Sequence, residues 1–98
     1  MVSVYPQAII DAALRAARSN LEWDRRYSVR REPDRLGLRS HCLEGMTTAA
    51  ALRLLRAQCP DRMTESLPTR KGAMVRFYFS AEVTRAFYEM AQVEINAR

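Results

Sequence analysis

Residues 73–80 constrain the fold more than any other stretch. Val75, Phe77 and Phe79 alternate with Met74, Arg76 and Tyr78, and a period of two puts each set on its own face of a strand. Gly72, after Arg70-Lys71, is a turn signal ahead of that strand. Ser80 follows, a natural helix N-cap. Apolar spacing then changes to three and four residues: Val83, Ala86, Phe87, Met90 and Ala91 predict a helix to about Asn96. Ala81, Tyr88, Val93 and Ile95 widen its apolar arc well beyond the ~100° that one surface contact requires. Either this helix is central to the fold, or its extra face, with Val83, Phe87, Tyr88, Met90 and Ile95, meets a second copy as a homodimer. Glu94 falls inside the arc, where it pairs with an arginine or marks the edge of the core.

Two further helices are expected upstream. The first runs from about Pro6 to Asn20, with Ile10, Leu14, Ala17 and Leu21 on one side. Asp11–Arg15 and Arg18–Glu22, each four apart, line the other side, and Trp23 anchors the end. The second starts after Met46 or Thr47 and stops by Cys59, because Pro60 follows. Its buried face is Ala51, Leu52, Leu55 and Cys59, and Arg53 and Arg56 form an exposed basic edge. Between the two, Arg25–Arg31 alternates as a short strand with Tyr27 and Val29 on one side, ended by Glu32-Pro33-Asp34. Leu36-Gly37-Leu38 and Gly45 read as connecting loop, and Asp61–Pro68 holds one short helical turn at most. The expected fold is a small α+β single domain over residues 1–98. It has about three helices and a short two-stranded antiparallel ribbon, in the order α-β-α-β-α.

Composition narrows the function classes. With 48% apolar and 28% charged residues the chain is an ordinary globular one. Its longest apolar run, Ala49–Leu52, is far below the roughly 20 residues of a membrane span. The N-terminus lacks a basic region and Asp11 interrupts its apolar stretch, so no signal peptide is expected. Two cysteines make no disulfide scaffold, which predicts a reducing cytoplasm. Catalysis is equally hard to assemble. His41 and Cys42 are chain neighbours, and adjacent side chains rarely face each other as a nucleophile and its base must. With Cys59 they are only three soft ligands, one short of a zinc site. Three scattered glycines make no phosphate-binding loop. No enzyme, metal or cofactor is expected.

The charge is more suggestive. Sixteen basic residues oppose eleven acidic ones, for a net +5. Fifteen of the sixteen are arginine, which with 14 alanines suggests a GC-rich bacterial or phage genome. Arginine binds phosphate and carboxylate through a planar fork. Six arginines lie between Arg25 and Arg39, including Arg25, Arg26, Arg30 and Arg31, with Tyr27 among them. Arg70, Lys71 and Arg76 form a second cluster, and Arg53 and Arg56 a third edge. Converging on one face, they would neutralise several phosphates while Tyr27 or Tyr78 stacked on a base.

Residues 46–90 also resemble, locally, the winged helix-turn-helix of MerR-type regulators and phage excisionases. The resembling residues are Met46-Thr47-Thr48-Ala49-Ala50-Ala51, then Leu67-Pro68-Thr69-Arg70-Lys71-Gly72, then Arg76-Phe77-Tyr78 and Val83. The resemblance implies a wing at about Arg70–Tyr78 touching the DNA backbone. Residues 59–66 stand where those proteins carry a recognition helix, and they read as too short and loop-like to fill a major groove. The expected function is therefore a cytoplasmic, non-enzymatic nucleic-acid-binding accessory or regulatory protein of a bacterium or mobile element, with duplex DNA as first ligand. The alternative is a small protein-binding inhibitor or adaptor that docks on an acidic partner surface, with Trp23, Tyr27, Phe77 and Tyr88 as anchors.

Overall fold

The computed structural model describes residues 4–28, 35–66 and 73–98. Its elements are α1 (Gln7–Tyr27), β1 (Gly37–Leu38), a 3-10 turn (Ser40–Cys42), α2 (Thr48–Gln58), β2 (Asp61–Ser66), β3 (Ala73–Tyr78) and α3 (Ala81–Asn96). The expected mixture of three helices and antiparallel strands is present, but with three strands rather than two. β3 is central, with β1 and β2 antiparallel on either side. Among the described residues no helix is long and apolar enough to cross a membrane.

Three segments differ from their sequence expectation. α1 runs to Tyr27, seven residues past Asn20, so Arg25, Arg26 and Tyr27 are helical and not part of a strand. Their alternation competed with a helix already propagating, and adding about two turns to a helix costs less than nucleating a new element. The helix ends at Ser28, whose φ of 51° is left-handed and whose N–H donates to the Asp24 carbonyl. Gly37-Leu38 is an edge strand rather than loop. Gly37 is in register with Tyr78 and Leu38 with Phe77, and Phe79 N–H extends the pairing to the Leu36 carbonyl. Asp61–Ser66 is a strand rather than a helical turn, in register with β3 from Asp61–Tyr78 to Ser66–Ala73. Its polar residues give no alternation to read, and the exposed Asp61 and Arg62 suit a sheet edge.

The helix boundaries near α2 and α3 follow from capping. Thr47 Oγ1 accepts from Ala50 N–H at 3.2 Å, and Ser80 Oγ accepts from Val83 N–H at 3.4 Å. The core gathers Ile9, Ala13 and Ala17 of α1, Leu36, Leu38, Ala51 and Leu55, Phe77 and Phe79, and Val83, Phe87 and Ala91 of α3. Tyr5, Phe79 and Phe87 meet as an aromatic trio with centroids 5.1–6.1 Å apart.

α1 and α3 pack side by side. Arg18 pairs with Glu94 and Glu22 with Arg98; both partners advance by four residues, so the helices run in the same direction. Glu94 thus finds the arginine expected for it. Arg18 and Glu22 are spent on these tertiary pairs rather than on each other. Arg15 reaches away to the Cys42 carbonyl at 2.8 Å, and Asp11 accepts from Gln7. The broad apolar arc of α3 is therefore largely core. Val83 and Phe87 are buried in the chain's own interior and are unavailable to a second copy, leaving half-buried Tyr88, Met90 and Ile95 with the exposed Val93.

Candidate anion-binding cleft

A period of two that begins before β1 builds the site. Leu36 and Leu38 point inward and are fully buried; Arg35, Gly37 and Arg39 therefore fall on the opposite face. Strand β3 brings Arg76 and Tyr78 to that same face, because Gly37 is in register with Tyr78. Gly37 makes room for them. A Cβ there would stand 2.5 Å from Arg76 Cδ and 2.9 Å from Tyr78 Cε1, too close for either to stay in place.

Between this face and α1 lies a cleft of about 380 Å³. Arg35, Arg39 and Arg76 line it together with Tyr78 and Gly37. Helix α1 closes one side with Ala16 and Asn20, and the 3-10 turn adds His41 and Cys42. No Asp or Glu is among these described lining residues. Three arginines lining one concavity favour a positive local potential.

The walls are tied together. Arg35 lies over the Tyr78 ring, 4.6 Å from its centroid, and its Nη1 reaches the Met63 sulfur at 3.7 Å. Asn20 Nδ2 donates to the Tyr88 hydroxyl at 3.0 Å, which donates onward to the Arg35 carbonyl at 3.4 Å. Helices α1 and α3 thus both hold the segment that carries Arg35. The Arg15 bond to the Cys42 carbonyl fixes the 3-10 turn in the same way.

The arginines singled out in the sequence do not all converge. Arg76 is in the cleft. Arg25, Arg26 and Tyr27 occupy the last turn of α1, exposed, where positive charge complements the helix dipole. They sit beside Trp23, which is not a buried anchor: it is 55% exposed and packs on the Tyr27 ring at 4.3 Å. Arg53 and Arg56 are exposed on α2, and Arg56 borders a separate groove with Tyr5, Cys59 and Ser80. Arg30, Arg31, Arg70, Lys71 and the turn at Gly72 lie outside the described residues. Arg35, Gly37 and Arg39 carry a signal that the loop expectation for this stretch passes over: Arg-Leu-Gly-Leu-Arg alternates, and an extended backbone puts both arginines on one face.

The cysteines are free thiols. Cys42 is half-buried at the cleft, and Cys59 is buried at the end of α2. Burial pushes the Cys59 thiol up from 9.0 to about 12, so it carries no nucleophilic thiolate at neutral pH. Burial, and then the neighbouring Cys59, also raise the Tyr5 hydroxyl. No family model, curated protein or solved structure matches this chain.

Proposed function

We propose that this chain is a non-enzymatic nucleic-acid-binding accessory or regulatory protein of a bacterium or mobile element. The observation that carries this reading is the convergence of Arg35, Arg39 and Arg76 on one cleft beside Tyr78. Guanidinium forks match phosphate oxygens, and an aromatic wall suits a base. The β2–β3 hairpin, whose connection contains Arg70 and Lys71, takes the part of the backbone-touching wing. The +5 net charge adds long-range attraction to any polyanion.

The test is fluorescence anisotropy with a random-sequence DNA, both single-stranded and duplex, at about 50 and 200 mM salt. Three neutralised phosphates alone weaken binding about 20- to 40-fold across that range. Absence of binding to both forms at the lower salt removes the nucleic-acid reading.

A second reading, a protein-binding inhibitor or adaptor, has one observation in its favour. The Trp23 and Tyr27 rings pack against each other at a tilt while more than half exposed, with Arg25 and Arg26 alongside. Exposed Trp, Tyr and Arg are the residue types that anchor protein interfaces. Of the other two anchors expected from sequence, Phe77 is buried in the core and the Tyr88 hydroxyl is engaged within the chain. Under this reading Tyr27→Ala weakens an acidic partner more than any single arginine substitution.

A further inference from the structure

We infer that the exposed end of α1, around Trp23 and Tyr27, is a docking face for a partner protein, and that it takes an acidic segment carrying an aliphatic side chain. This rests on the protein-binding reading above and names its surface. The face shares no lining residue with the arginine cleft.

Spacing is the first ground. Trp23 and Tyr27 are four apart in α1, so they stand one above the other on the helix surface. Their rings are 4.3 Å apart at a tilt of 46°, and both are more than half exposed. Each ring restrains the other, so little side-chain freedom is left to lose when a partner docks. Two tilted rings in contact leave no slot for a base between them. The angle they form is an apolar step on which an aliphatic side chain fits.

Charge is the second ground. Arg25 and Arg26 are exposed between and beside the rings, and neither holds an ion pair among the described residues. Two full charges outweigh the roughly half negative charge of a helix C-terminus. The nearby acids are already engaged: Glu22 accepts from Arg98 at 2.7 Å, and the half-buried Asp24 is held within the chain. A depression lined by Glu22, Arg25, Arg26, Ile95 and Arg98 lies between the ends of α1 and α3. Glu22 and Arg26 also line a second depression, with Ser19 and Trp23. The basic groove and the aromatic step are therefore contiguous. A segment that lays carboxylates in the groove can rest an apolar side chain on the rings, and Trp, Tyr and Arg are the types that anchor such contacts.

The experiment selects random dodecapeptides displayed on phage against the full chain. The most enriched peptide is then synthesised with a label, and its dissociation constant is measured by anisotropy at about 100 mM salt. Enriched sequences carry several Asp or Glu and at least one Leu, Ile or Val. Tyr27→Ala weakens the peptide about 30-fold, the loss expected of an anchor residue. Arg25→Ala combined with Arg26→Ala weakens it and flattens its salt dependence. The distant Arg53→Ala leaves it within about twofold. All four positions are exposed, and unchanged helical circular dichroism checks that each variant is folded.

An enriched peptide that binds Tyr27→Ala as tightly as wild type overturns the docking face while the protein-binding reading stands. Enriched peptides without acidic residues overturn the assigned partner chemistry. No enrichment at all overturns the face and the protein-binding reading together. A labelled oligothymidylate strand is measured in parallel: if Tyr27→Ala weakens it as much as the peptide, the face belongs to nucleic acid and the proposal fails.

Discussion

Cys59 makes stability sensitive to alkali. Its thiol stays protonated in the fold to about pH 12, whereas in the unfolded chain it ionises near 9.0. The neutral form is the one the buried site accepts, so the associated stability is complete below pH 9 and falls as the pH rises toward 12. The slope is at most about 1.4 kcal/mol per pH unit. Tyr5, raised for the same reason, acts in the same direction. Between pH 8 and 10.5 the wild type should lose about 2 kcal/mol more than Cys59→Ala, read from urea midpoints at the two pH values. Identical losses in the two proteins would show that this thiol does not carry the effect. Alkylation follows the same division: half-buried Cys42 is labelled in the native protein, and Cys59 only after unfolding.

At the scale of elements, local signals sufficed where a cap and a period agreed. Thr47 opens α2, Ser80 opens α3, and Cys59 before Pro60 closes α2, all where the residues alone put them. Thr47→Ala should lower stability by about 1 kcal/mol, measurable as a shift in denaturation midpoint; an unchanged midpoint would mean that water replaces the hydroxyl fully. Strand β3 was legible for the same reason, with Phe77 and Phe79 buried opposite half-buried Arg76 and Tyr78. Strand β2 was not, because Asp61–Ser66 has no alternation of its own and takes its conformation from the ladder with β3. Strand β1 was hidden by brevity: two residues, one of them glycine, give propensity nothing to act on. The cleft depended on that hidden strand. Arg76 lines the cleft from a strand that the residues alone predict, whereas Arg35 and Arg39 join it only once Gly37 is known to pair with Tyr78.

For the molecule as a whole, the Tyr5–Phe79–Phe87 trio is the point where the chain ahead of α1, the end of β3 and the middle of α3 meet. Phe87 is fully buried there, and Phe87→Ala should cost about 3–5 kcal/mol. That is a large share of the roughly 5–15 kcal/mol holding a typical domain together, so much of the mutant should unfold well below the wild-type midpoint. Loss of less than about 1 kcal/mol would show that the core closes over the gap. The probe for such measurements must be helical circular dichroism. The chain's one tryptophan, Trp23, is solvated at the tip of α1, so its emission is already red-shifted in the native state and changes little on denaturation. The indole is instead a built-in optical reporter of the outer surface: a partner that settles on the Trp23–Tyr27 step turns its emission blue, and one that enters only the arginine cleft leaves the colour unchanged.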